Sequence, residues 1–411
     1  MPTISKIKDI KAREILDSRG NPTVEVDLET TSGVFTASVP SGASQGKDED
    51  LELRDGGKRY GGKGVLLAVK NIREKILPKI KGKSVSNQEK IDQIMISLDG
   101  TKNKTKLGAN AILPVSIAVC RAGAAAKKIP LYKYISQISK NEIAIPKPCF
   151  NIINGGAHAG NNLDFQEFMV IPQEKNFAKN LEKGIETYYS LRSILLEKMG
   201  KSAVNIGDEG GFAPQLEGVK EALDLIMEAI TKTVSKTKIG LDCAASQFHN
   251  NDKYELEKNI LFRDALLLFY GDLVKNYPII FLEDPFSEDD WQGFSAITKE
   301  FNKKEIDILG DDLTTTDIAR IQEAKKKKAC TGVIIKPNQI GTVTEALGAV
   351  KAAREAGWKI MVSHRSGDTC DDFIADLATG IGADYIKSGA PARGERMAKY
   401  NRLLKIEEEI T

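Results

Sequence analysis

At 411 residues, with 41% hydrophobic and 28% charged side chains, the chain has the composition of an ordered globular protein and is long enough for two domains. Its 59 basic and 57 acidic residues nearly cancel to a net charge of +2, so no global field favours nucleic acid or an anionic membrane. Five dispersed cysteines without CxxC spacing argue against a disulfide framework and for a reducing compartment; no signal-peptide core or bilayer-length apolar run is read, so a cytoplasmic location is expected.

In chain order, "IKDIKAREIL", "PTVEVDLET" and "VFTASVP" alternate as a small antiparallel meander. The Gly/Ser-rich stretch "SGASQGKDEDLELRDGGKRYGGKG" follows, of the kind that makes mobile loops. Helical periodicity is predicted over about 63–80, 87–98 and 108–127, an α+β layout that ends near residue 140. Beyond it, "AIPKPCFNII" and "FQEFMVIP" read as strands, and about 176–199 and 216–236 as helices. Strand and helix then alternate six times, the strands being "KIGLD", "IIFLE", "DILGD", "GVIIK", "KIMVSH" and "DYIK". Eight strands and eight helices are enough to close a barrel with an atypical first quarter, with a doubly wound open sheet as the competitor. The domains expected are 1–140 and 141–411.

Those six strands end on Asp242, Glu283, Asp311, Lys336, His364 and Lys387, each closing an otherwise apolar run. In α/β folds the carboxyl ends of parallel strands share one face, which carries the active site. Asp242, Glu283 and Asp311 form a hard oxygen set suited to magnesium rather than zinc or copper; the alternative is that these acids simply pair with Lys336 and Lys387. A cation and partial desolvation beside Lys336 are expected to lower its pKa and make it a base, while Lys387 holds an anionic group. Glycine-rich turns add His158, the pair Gln166–Glu167, and Asp208–Glu209; "SHRSGDT" groups His364, Arg365 and Ser366 as a grip for phosphate or carboxylate. His249 is given no role, and the run Lys325–Lys328 reads as a solvated helix end.

The motifs "DSRGNPTVE", "VPSGAS", "NGGAHAGN", "FQEFM", "GDEGGFAP", "LEDP", "DDLT", "KPNQIGT", "SHRSGDT" and "IKSGAP", in this order from Asp17 to Arg396, resemble the enolase family. The resemblance implies an eight-stranded α/β barrel of ββαα(βα)6 type with an N-terminal α+β capping domain. It implies a magnesium-dependent hydro-lyase that interconverts 2-phosphoglycerate and phosphoenolpyruvate in glycolysis and gluconeogenesis, with two Mg2+ per active site. By motif, Lys336 is the base at C2, and Glu209, with Glu167 beside it, is the acid for the C3 hydroxyl. His158, Gln166, His364, Arg365, Ser366 and Lys387 bind substrate. Asp242, Glu283 and Asp311 hold one metal, and Ser44 the second. A homodimer or octamer is implied, with no nucleic acid required and no membrane insertion. Relatives known as surface plasminogen binders and as partners of RNA-degrading assemblies leave a secondary binding role and a cell-surface fraction as further readings by resemblance. Another carboxylate-handling enzyme of the same superfamily is the competitor within enzymes, disfavoured by the joint presence of "SGAS", "GDEGGFAP" and "SHRSG". Departures from the family pattern are Thr36, Gln45, the acidic "KDED" with Asp48 and Asp50, Gln247, Asp368 and Ser388.

Overall fold

The computed structural model describes residues 5–42, 46–234 and 236–411; Ser44 and Gln45 lie outside the described residues. Strands β1 (Ile7–Leu16), β2 (Pro22–Thr30) and β3 (Gly33–Ser38) form the antiparallel meander read from their alternation. The register Ile10↔Leu28 and Ala12↔Val26 puts the apolar residues on one face. That face packs on the helix Ala109–Lys127, whose residues from Ala109 to Cys120 are all buried. By length and composition this helix could cross a membrane, but Arg121 interrupts its apolar run and its apolar surface is spent on the core. Further helices span Gln88–Asp99 and Leu131–Ser139; the second was not read from the sequence.

The eight strands β4 (Lys147–Asn154), β5 (Glu167–Pro172), β6 (Thr237–Asp242), β10 (Ile279–Glu283), β11 (Asp307–Gly310), β12 (Gly332–Ile335), β13 (Lys359–Ser363) and β14 (Tyr385–Lys387) close into a barrel, which removes the open-sheet alternative. The intervening β7 (His249–Asn250), β8 (Lys253–Leu256) and β9 (Asn259–Leu261) make a small separate sheet before the helix Arg263–Asn276. Neighbouring barrel strands are parallel except at β5, which runs antiparallel to both β4 and β6. The reason is connectivity: β4 enters β5 through the loop 155–166 with no crossover helix, so the chain must reverse. The reversal brings Glu167, the first residue of β5, level with Asp242, the last of β6.

Cys149, Met169, Ile171, Phe281, Leu309, Ile334, Met361 and Tyr385 fill the barrel interior. Gly240 is required there: a Cβ at this position would lie 2.0 Å from the Phe281 ring. Only three of the six charged residues end their strands as expected, namely Asp242, Glu283 and Lys387. Asp311, Lys336 and His364 stand one residue further on, where the chain is already turning across the rim. At Lys336 the cause is Pro337, which has no N–H to continue the ladder.

Candidate active site

The rim of the barrel gathers the predicted residues around two ammonium groups, that of Lys387 buried and that of Lys336 part-buried. Lys387 Nζ donates to both carboxylate oxygens of Glu283 at 2.7 Å, to Glu167 Oε1 at 3.1 Å and to Asp242 Oδ2 at 3.2 Å. Lys336 Nζ is bonded to Asp311 Oδ2, whose other oxygen accepts from Gln339 Nε2 at 2.9 Å. Gln166 donates to Asp242 Oδ2 at 3.3 Å and accepts from Gln247 Nε2 at 2.8 Å. The departure at Gln247 is therefore part of the site's polar frame, since its carbonyl oxygen also accepts from Ala157 N at 3.2 Å.

A second cluster adjoins the first. Glu209 lies 3.4 Å from His158 Nδ1 and 3.4 Å from His364 Nε2, and accepts from Asn151 Nδ2 at 2.9 Å. Arg365 is held by Glu49, at 2.9 Å through Nη1 and 3.1 Å through Nη2, and by Asn338 Oδ1 at 3.2 Å. Ser366 is buried beside it. Each acid of "KDED" meets a cation: Glu49 pairs with Arg365 and Asp50 with Lys104 at 2.6 Å out of solvent, while Asp48 pairs with Arg320 at 3.2 Å and stays exposed.

The electrostatics follow from crowding in a dry site. Burial raises the carboxyl of Glu283, and the charges of Asp242 and Asp311 add to that, leaving it well above the ordinary range despite Lys387. Burial and the Glu209 charge likewise push Glu167 well up. Burial opposes the charge on Lys387, yet Glu167, Glu283 and Asp242 outweigh it and hold the group well above a normal lysine. For Lys336 burial also pulls down, with Arg365 and Lys387 acting the same way, but Asp311 wins and the net shift is upward. The expected lowering rests on a cation beside Lys336; with the Asp311 carboxylate as its nearest charged partner the shift is upward. Glu209 is held well below the usual carboxylate range: burial is overcome by His158, His364 and Arg396. Burial lowers both histidines, His364 to about 4.

A hard divalent cation fits this donor set. Glu283 is crowded by like charges that a cation would relieve, all three acids offer oxygen, and Glu167 Oε2 is buried with no hydrogen-bond partner among the described residues. As they stand, Asp242 and Glu283 converge on Lys387 while Asp311 is turned to Lys336. Among the described residues, the triads whose ligand atoms already lie close together are instead His158, Glu167, Glu209 and Asp284, Asp311, Asp312. Asp284 is largely committed to the backbone, accepting from the N–H groups of Asp311 at 3.0 Å and Asp312 at 2.7 Å. Sequence reasoning missed Asn151, Gln339, Glu49 and Arg396; they reach the rim from a strand interior, a short turn, the acidic loop and the last helix, with no local pattern to announce them.

Comparison with known proteins agrees with this geometry. The family model described as "Enolase, C-terminal TIM barrel domain" matches residues 142–411, and "Enolase, N-terminal domain" matches 7–135. The chain is 52% identical over 421 aligned positions to Enolase 1 of Entamoeba histolytica, covering 98% of this chain and 96% of that one. It is 53% identical to Enolase B of Dictyostelium discoideum, covering 98% and 95%. With a closed barrel whose antiparallel second strand brings Glu167 level with Asp242, and with matches along nearly its whole length, the chain belongs to the enolase family.

Proposed function

We propose that the chain is a phosphopyruvate hydratase, which reversibly dehydrates 2-phosphoglycerate to phosphoenolpyruvate in glycolysis and gluconeogenesis. The observation that carries this reading is the buried rim itself. Lys336, with a single carboxylate partner among the described residues, stands with Lys387 and Asp311, and the Glu167–Glu209 pair lies alongside. Proton removal next to a carboxylate creates a doubly charged species that only concentrated positive charge in a dry site makes accessible. In this scheme Lys336 takes the C2 proton, which it can do only as the neutral amine. Release of Asp311 from Lys336 would leave burial, Lys387 and Arg365 to lower the lysine's pKa. Glu209 is assigned as the acid for the C3 hydroxyl with Glu167 beside it; because Glu167 is raised and Glu209 lowered, the proton of the pair rests on Glu167 and reaches the departing hydroxyl from there or through Glu209. Lys387, His158, His364 and Gln166 bind the substrate beside them, and Arg365 with Ser366 takes the phosphate. Magnesium bound by Asp242, Glu283 and Asp311 would supply positive charge at the substrate carboxylate. A second Mg2+ is assigned to Ser44.

We assign residues 1–140 to a capping domain and 141–411 to the catalytic barrel, in a cytoplasmic homodimer or octamer. The test is a coupled assay of phosphoenolpyruvate formation from 2-phosphoglycerate. Activity that is abolished by chelation and restored by magnesium supports the reading; no turnover with magnesium present, or full turnover in excess chelator, overturns it.

A further inference from the structure

Arg396, on the helix Gly394–Ile410, is completely buried, and no strand-end or glycine-turn pattern pointed to it. Burying a guanidinium is costly unless its donors are used. Here Nη1 donates to the Arg365 carbonyl at 2.7 Å and meets His364 Nδ1 at 2.6 Å. Nη2 donates to the Ser366 carbonyl at 2.6 Å and to the Asp208 carbonyl at 3.1 Å. One side chain therefore ties the "SHRSG" loop to the "GDEGG" loop.

We propose that Arg396 is a positioning residue: by donating to His364 Nδ1 it fixes the His364 tautomer and so aims the Nε2–H at Glu209. The reasoning is one of donors and acceptors. Arginine carries only donors and does not lose its protons inside proteins. A contact of 2.6 Å with Nδ1 therefore requires a lone pair on that nitrogen, which excludes both the Nδ1–H tautomer and the imidazolium. The single ring proton then sits on Nε2, which lies 3.4 Å from Glu209 Oε2 and has no well-formed hydrogen bond among the described residues. His364 thus faces Glu209 as a neutral donor. With the other tautomer a nitrogen lone pair would face the carboxylate and repel it. The guanidinium beside the ring and the burial of the site act in the same direction, against a second proton on His364.

The tautomer stands apart from the proposed reaction; its consequence for turnover rests on the hydratase reading. The experiment is a long-range 1H–15N correlation spectrum of the histidine rings in the 15N-labelled full-length protein at neutral pH. The chain has only three histidines, and His364→Asn identifies the relevant signals by their loss. In the wild type, His364 should show an unprotonated Nδ1 and a protonated Nε2. Arg396→Gln, whose amide can present either oxygen or nitrogen, should release the ring to the Nδ1–H form or a mixture, and kcat should fall roughly 10- to 100-fold with a smaller change in KM. Arg396→Lys, still donor-only, should keep the tautomer and recover part of kcat. A wild-type ring protonated on Nδ1 overturns the inference, as does an Arg396→Gln spectrum matching the wild type. The wild-type spectrum decides even if a variant does not fold. A wild type with the expected tautomer and no hydratase activity would overturn the functional reading alone.

Discussion

Lys336 and Lys387 occupy one rim in different company. Lys387 is locked among Glu167, Asp242 and Glu283, a cation that nothing nearby would release. Lys336 has one carboxylate partner among the described residues, Asp311, so a single rearrangement frees it. That asymmetry supports the proposal of Lys336 as the base. Lys336→Ala should lower turnover by roughly 10²–10⁴ and stop exchange of the C2 proton in heavy water, followed by NMR; exchange at the wild-type rate would remove Lys336 from the role. Glu209→Gln should slow dehydration and spare that exchange, because hydroxyl loss follows proton removal. Equal loss of both would reassign the residue. The sequence made Lys336 a candidate through its place at the end of an apolar run. The direction of its pKa shift was not legible, since that depends on which charge lies nearest in space.

At the scale of elements, the period-two and helical patterns placed seven of the barrel strands to within a residue or two; β4 begins three residues later than read, at Lys147. The small sheet β7–β9 escaped because its strands are too short to show a period. Its turns, Asn251–Asp252 and Glu257–Lys258, all have positive φ, as two-residue hairpins require; the first pair is ordinary turn chemistry, the second is not. Asp307, at the start of β11, illustrates a cost carried by an element end. Burial raises its carboxyl to about 6, although Lys359 and Thr331 partly offset this. A raised acid favours the fold fully below its unfolded value of 3.8, and that contribution is lost as pH climbs through about 6. Asp307→Asn, which keeps an acceptor for Thr331, should therefore stabilise the protein at pH 7.5 by up to about 3 kcal/mol and have little effect near pH 4. Denaturant melts at the two pH values check it; an equal effect at both would point to packing instead.

For the whole molecule, the rim is a concentration of like charge held closed by two lysines. A cation that binds the folded rim and not the unfolded chain stabilises by mass action, about 2.7 kcal/mol at a hundredfold excess over Kd. Magnesium should accordingly raise Tm, and Asp242→Asn should blunt the rise; melting curves that are identical in magnesium and in chelator would show that the acids serve only the lysines.

The alternation of the barrel strands with helices, the charged residues at or just past the strand ends, and the family likeness of ten short motifs were settled by the sequence itself, because each is a local property of consecutive side chains. Tertiary structure alone decided closure over an open sheet, the partnership of Lys387 with Glu167 across 220 residues, and the capture of His364 by Arg396 across 32. Those outcomes depend on distances between remote segments once the barrel has closed. At such distances charge, burial and hydrogen-bond geometry act strongly, and no periodicity along the chain encodes them.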